Sequence, residues 1–122
     1  MIVTRVIAQL RTTDLRESIR FYTMQLGLKL EFEYEDFYAG VRAGDEIIHL
    51  KHIDDKDPSI EFVREGEHFH LYLQVSDVQQ TANTLKAKNV QFVKDLHDTP
   101  WGTSEFAIRD NEGHTLYFGA PR

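Results

Sequence analysis

The chain has 122 residues, 41% apolar and 28% charged, an ordinary globular composition that excludes a disordered tail or a collagen-like repeat. It contains no cysteine, which excludes a disulfide framework, a thiolate zinc site and a cysteine nucleophile. A formal net charge of −6 without a basic stripe argues against nucleic acid, and no apolar run approaches the length of a signal peptide or membrane span, so a cytoplasmic protein is expected.

The negative charge is unevenly placed. Residues 31–67 hold twelve of the twenty acids and four bases, a net of −8, while the remainder carries +2. Such a surface commonly serves solubility alone; the sharper reading is a field that concentrates a cationic ligand.

In chain order, the first signal is an alternation in which Ala8, Leu10 and Thr12 share one face of a strand. The strand runs into Asp14, a helix N-cap with Glu17 three positions on. Helical spacing through Leu15, Ile19, Tyr22 and Leu26 then predicts a helix over Leu15–Leu26, closed by Gly27. Strands are expected at Leu28–Tyr34, Phe37–Arg42 and, after the turn at Gly44, Ile47–Leu50. Asp54–Pro58 reads as a polar loop and residues 59–67 as a mobile connector.

The same order then recurs at an offset of 63. Leu71, Leu73 and Val75 alternate, Asp77 caps a helix over Val78–Lys88 with Gln80 in the capping-box position, and Asn89 takes the place of Gly27. Strands follow at Val90–Lys94, Thr103–Asp110 and Thr115–Phe118. The reading is an α+β chain of two βαβββ modules, about 1–58 and 68–122, in a single domain covering 1–122. One helix cannot cover both faces of a sheet, so the other faces are expected to line a groove.

The segments Asp14-Leu15-Arg16-Glu17-Ser18-Ile19-Arg20-Phe21-Tyr22 and Leu26-Gly27-Leu28, then Val75-Ser76-Asp77-Val78, Trp101-Gly102 with Phe106, and Asp110-Asn111-Glu112-Gly113 together resemble the vicinal oxygen chelate superfamily. That superfamily includes glyoxalase I, bleomycin-resistance proteins and extradiol dioxygenases, and the resemblance spans essentially the whole chain. It implies a cupped mixed sheet in each module, a homodimer and a ligand groove in each cup. It leaves function open, because the fold hosts unrelated chemistries.

Enzymes of the superfamily hold a divalent metal such as Zn, Ni, Fe or Mn with one side chain from each of four strands. The resemblance places those positions on Ile7, His49, His70 and Tyr117. Ile7 has no donor atom, and a tyrosine with an unperturbed pKa of about 10 is a poor ligand at neutral pH. His68 shares strand parity with His70, so His49, His70 and His68 form the one conceivable protein-only set; His52, His97 and His114 read as surface histidines. The expectation is therefore no cofactor and no catalytic residue.

Alternation assigns Gln9, Arg11, His49, Lys51, His70, Tyr72 and Tyr117 to the cup, with Tyr38 and Trp101 at its rim. This aromatic lining with a few polar handles suits a small organic ligand held by stacking and hydrogen bonds. The leading reading is a metal-free protein that sequesters an aromatic or cationic molecule, as bleomycin-resistance proteins do. The alternatives are a metal-dependent lyase, isomerase or thiol transferase using His49 and His70, or a carrier for a neighbouring enzyme.

Overall fold

The computed structural model describes residues 1–54, 57–66 and 69–122, which fall into two compact units, Met1–Ile60 and Glu61–Arg122. His68, Asp55 and Lys56 lie outside the described residues, and with them part of the expected polar loop and one expected metal-ligand candidate.

The first unit contains β1 (Gln9–Thr12), α1 (Leu15–Arg20), β2 (Lys29–Tyr34), β3 (Tyr38–Ala43) and β4 (Glu46–His52). Its strands lie in the order β1-β4-β3-β2, with β1 parallel to β4 and the other pairs antiparallel. Strand parity sorts the side chains. Leu10, Ala39, Val41, Ile48 and Leu50 are buried on one face, and Leu15 and the fully buried Tyr22 belong to the same core. A buried bond of 2.6 Å between the Thr12 and Ser18 hydroxyls ties the end of β1 to α1.

Asp14 caps α1 by accepting from the Glu17 N–H at 3.2 Å, as the sequence predicts. The helix is shorter than predicted. Beyond Arg20 the chain continues as a π turn, Phe21–Gln25, closed by the Leu26 N–H on the Phe21 carbonyl at 3.0 Å. The Thr23 hydroxyl takes the Ile19 carbonyl at 2.7 Å, a side-chain bond that competes with the regular ladder. Gly27 then adopts φ +75°, and Asn89 stands at +60° in the same place of the second unit. Ile7 and Ala8 precede β1 rather than belonging to it.

Residues 59–64, expected as part of a mobile connector, form a short helix instead, α2 (Ser59–Arg64). Its Arg64 reaches the Glu112 carboxylate at 2.8 Å, an anchor 48 residues away that no local pattern reveals. The second unit continues with β5 (His70–Gln74), α3 (Val78–Ala87), β6 (Phe92–Asp98), β7 (Thr103–Arg109) and β8 (Thr115–Pro121), ordered β5-β8-β7-β6 with β5 parallel to β8. Its core is a stack of rings, Phe106 between Phe92 and Phe118 at 5.1 and 5.0 Å, joined by the buried Ala82, Leu85, Ile108 and Leu116.

The β7–β8 turn corrects one assignment. His114 is 3% exposed, not a surface histidine. Its Nδ1 lies 2.8 Å from Asp110, whose other carboxylate oxygen accepts the Glu112, Gly113 and His114 N–H groups at 2.9 Å each. Asp110 therefore organises the whole turn. Asp110→Ala is expected to cost about 3 kcal/mol or more, because it strands buried donors, whereas Asp77→Ala removes one exposed cap and costs about 1 kcal/mol. Urea unfolding of the two variants at neutral pH checks this ranking; equal losses would contradict it.

Candidate functional site

The face of each sheet opposite its apolar core carries the chemistry. In the first unit four side chains interlock there. Gln9 Nε2 donates to the Tyr38 hydroxyl at 2.7 Å, and that hydroxyl lies 2.9 Å from His49 Nδ1. Which of the two donates, the phenol or the imidazole, follows the His49 tautomer. Phe32 stacks on Tyr38 at 6.3 Å and meets His49 edge-on at 5.4 Å. Gly40 makes this possible: a Cβ there would overlap the Phe32 ring, with Cδ1 only 2.8 Å away. The result is a ring platform with an amide and an imidazole at its edge. Phe32 is thus part of the platform rather than of the core, and is 38% exposed.

In the second unit the hydrogen bond between first and third strands recurs with different partners. Tyr72 donates to Glu105 Oε2 at 3.0 Å, and Thr103 donates to the same oxygen at 2.9 Å. The Tyr72 side chain crosses β8 at Gly119, where a Cβ would overlap its hydroxyl and press on Glu105 Cγ at 3.1 Å. Beside this pair His70 stacks on Tyr117 at 5.3 Å, and the Lys94 ammonium donates to the Tyr117 hydroxyl at 3.1 Å. Burial, then the hydrogen bond to Glu105 and its charge, push the Tyr72 phenol above its ordinary range.

The predicted site residues therefore form two groups, Gln9, Tyr38 and His49 in one unit and His70, Tyr72 and Tyr117 in the other. Arg11 is diverted: its guanidinium pairs with Asp57 at 2.7 Å. Hydrogen bonding from Ser59 and that guanidinium hold the Asp57 carboxyl below the usual carboxylate range. Lys51 lies on β4 opposite Tyr38. Trp101 stands 72% exposed on the β6–β7 turn, without a ring contact among the described residues. Glu105, Thr103 and Gly119 are new. Strand parity through Thr103 and Ala107 is the signal that places Glu105 on this face.

The acid-rich segment contributes less field than its charge implies. Arg16 pairs with both Glu33 and Asp36, the latter at 2.7 Å, and Arg42 holds Glu31 at 3.0 Å. Glu33 and Asp36, both in the acid-rich segment, thus meet an arginine from α1.

The donor set fits a family-type metal poorly. Ile7 offers no atom, His49 Nδ1 is engaged by the Tyr38 hydroxyl, and the Tyr117 oxygen takes the Lys94 ammonium. Among the described residues, no three His, Asp or Glu side chains converge as a potential metal cage. No described helix is long and apolar enough to cross a membrane.

Two four-stranded mixed sheets, each with strand order 1-4-3-2 and one capped helix, define the glyoxalase-type α+β class. Residues 4–118 match the model of the Glyoxalase/Bleomycin resistance protein/Dioxygenase superfamily, and the chain belongs to that family. Among solved structures it is similar to the bleomycin-binding protein from bleomycin-producing Streptomyces verticillus, complexed with copper(II)-bleomycin. That likeness has 22% identity, TM-score 0.74 and 100% coverage of both chains. TioX from Micromonospora sp. ML1 matches at 20% identity and TM-score 0.78, over 98% of this chain and 97% of that one. Lactoylglutathione lyase from Agrobacterium tumefaciens matches at 16% and 0.74, over 98% and 95%. At such identities the likeness shows the fold. No curated protein matches.

The raised Tyr72 value favours the neutral phenol in the folded state. Its contribution to stability is complete below the ordinary tyrosine pKa of about 10 and is lost as pH rises through the folded value. Tyr72 is expected to ionise above that range, read as the difference in tyrosinate absorbance between wild type and Tyr72→Phe, and Glu105→Gln is expected to bring it down. An unchanged titration would show that Glu105 does not act on Tyr72.

Proposed function

We propose that this protein binds a small aromatic molecule on the open faces of its sheets, as a cytoplasmic homodimer, without metal chemistry. The observation that carries the reading is the platform of Phe32, Tyr38 and His49 laid over Gly40. Ring faces there are exposed to a ligand and ordered by a hydrogen-bonded edge, the combination that favours planar organic molecules. The likeness to a bleomycin-binding protein is compatible with it. The donor set supports the metal-free part, because each family position lacks a donor, commits it elsewhere or stacks it against a ring. Of the polar groups, the Gln9 amide and the His49 imidazole edge are the handles that would orient a ligand's polar atoms.

Protein purified without an affinity tag is expected to hold well under one equivalent of zinc, nickel, iron or manganese, with an unchanged Tm after chelation. A metal bound to the native state stabilises it by mass action, so a marked fall in Tm would favour the metal-dependent alternative through His49 and His70. A panel of planar aromatics is expected to raise Tm, and Phe32→Ala is expected to weaken that effect about tenfold or more in affinity, as loss of a stacked ring at a binding site commonly does. Absence of any response across the panel would overturn the reading.

A further inference from the structure

Three buried carboxylates occur among the described residues, and two have a basic partner. Asp110 lies 2.8 Å from His114, and Glu112 lies 2.8 Å from Arg64. Glu105 is the third, 7% exposed, and no Lys, Arg or His nitrogen comes within 4.0 Å of it among the described residues. Lys94 reaches the same face but ends on the Tyr117 hydroxyl. Both hydrogen bonds to Glu105, from Tyr72 and Thr103, fall on Oε2. The other oxygen, Oε1, has no hydrogen-bond donor there, yet is not sealed from solvent.

We propose that Glu105 is a receptor for a cationic or amidinium-like group of a small ligand on the open face of the second unit, with Oε1 as the accepting atom and Tyr72 and Thr103 fixing the carboxylate from its other side. Three features support this beyond the missing counter-charge. Gly119 is a glycine where any side chain would displace Tyr72 from Glu105, so the backbone of β8 is shaped around the pair. Thr103 is itself braced, its hydroxyl 2.8 Å from that of Thr99 across the β6–β7 turn. That turn carries the exposed Trp101, an aromatic surface two residues from Thr103. A carboxylate held in a partly dry site recognises a cation more strongly than one in water, and a planar amidinium matches its geometry.

This assignment rests on the small-molecule reading above and specifies its ligand class. The test uses the full chain with benzamidine, benzamide and benzoate as matched probes, read by calorimetry and thermal shift. Wild type is expected to prefer benzamidine to benzamide by about tenfold, as a charge-assisted hydrogen bond allows. Glu105→Gln keeps the size and an acceptor for Tyr72, and is expected to abolish that preference, so that benzamidine binds no more tightly than benzamide. In wild type, saturating benzamidine is also expected to make Tyr72 ionise at lower pH, because it offsets the Glu105 charge, whereas benzamide is not; this second readout does not depend on the variant folding. Equal binding of benzamidine and benzamide, or a preference that persists in Glu105→Gln, would overturn the Glu105 assignment and leave the aromatic-binding reading standing. No binding of any probe would overturn both.

Discussion

A four-stranded sheet with one helix laid against it can dry only one of its faces. Alternation then divides every strand between a set that holds the fold together and a set left over. In the first unit Leu10, Ile48 and Leu50 go to the core, while Gln9, His49 and Lys51 go to the other face. Each buried aliphatic side chain contributes roughly 1.5–3 kcal/mol. A slip of one residue in β4 would exchange Leu50 for Lys51 in the core, so the apolar set fixes the register. The open-face groups inherit that precision without supplying it. Their identities can change while the fold persists, which is why a family with one architecture supports several chemistries.

The two units make the point within one chain. Gln9 and Tyr72 occupy corresponding places on the first strand, beside His49 and Tyr117 on the last. Each donates to a residue on the third strand, Tyr38 in one unit and Glu105 in the other. One bond is neutral and ends on a phenol that in turn meets an imidazole; the other ends on a buried carboxylate. The clearance they need comes from different glycines, Gly40 beneath Phe32 and Gly119 beneath Tyr72. A common backbone thus presents an aromatic platform in one unit and an anionic receptor in the other.

Most of the architecture is legible in the sequence because it depends on local signals. Asp14 and Asp77 cap their helices, Gly27 and Asn89 take positive φ, and alternation brackets every strand to within a few residues. What is not legible depends on partners distant in sequence. The helix over 59–64 is anchored by Glu112, and His114 is buried because Asp110 gathers the turn around it. The charge of the segment 31–67 has the same weakness as evidence. Counting acids does not reveal that Arg16, on a different element, takes two of them. Parity alone places Glu105 on the open face, but its burial and its hydroxyl partners emerge only from the tertiary arrangement.

These pairings change which electrostatic feature can select a ligand. The exposed pairs of Arg16 and Arg42 are each worth about 0–1 kcal/mol, and salt screens what field they leave. A unit charge 4 Å from another is worth about 1 kcal/mol in bulk water and about 4 kcal/mol at the effective dielectric of a partly buried site. A single unpaired carboxylate on a semi-dry face therefore outweighs several compensated acids at the rim. Desolvating Glu105 has a cost whether or not a ligand is present, and among the described residues two neutral hydroxyls offset it in the free protein. On the proposed reading a bound cation supplies the remainder. The residue that is costly to the isolated fold is then the one that gives the complex its selectivity.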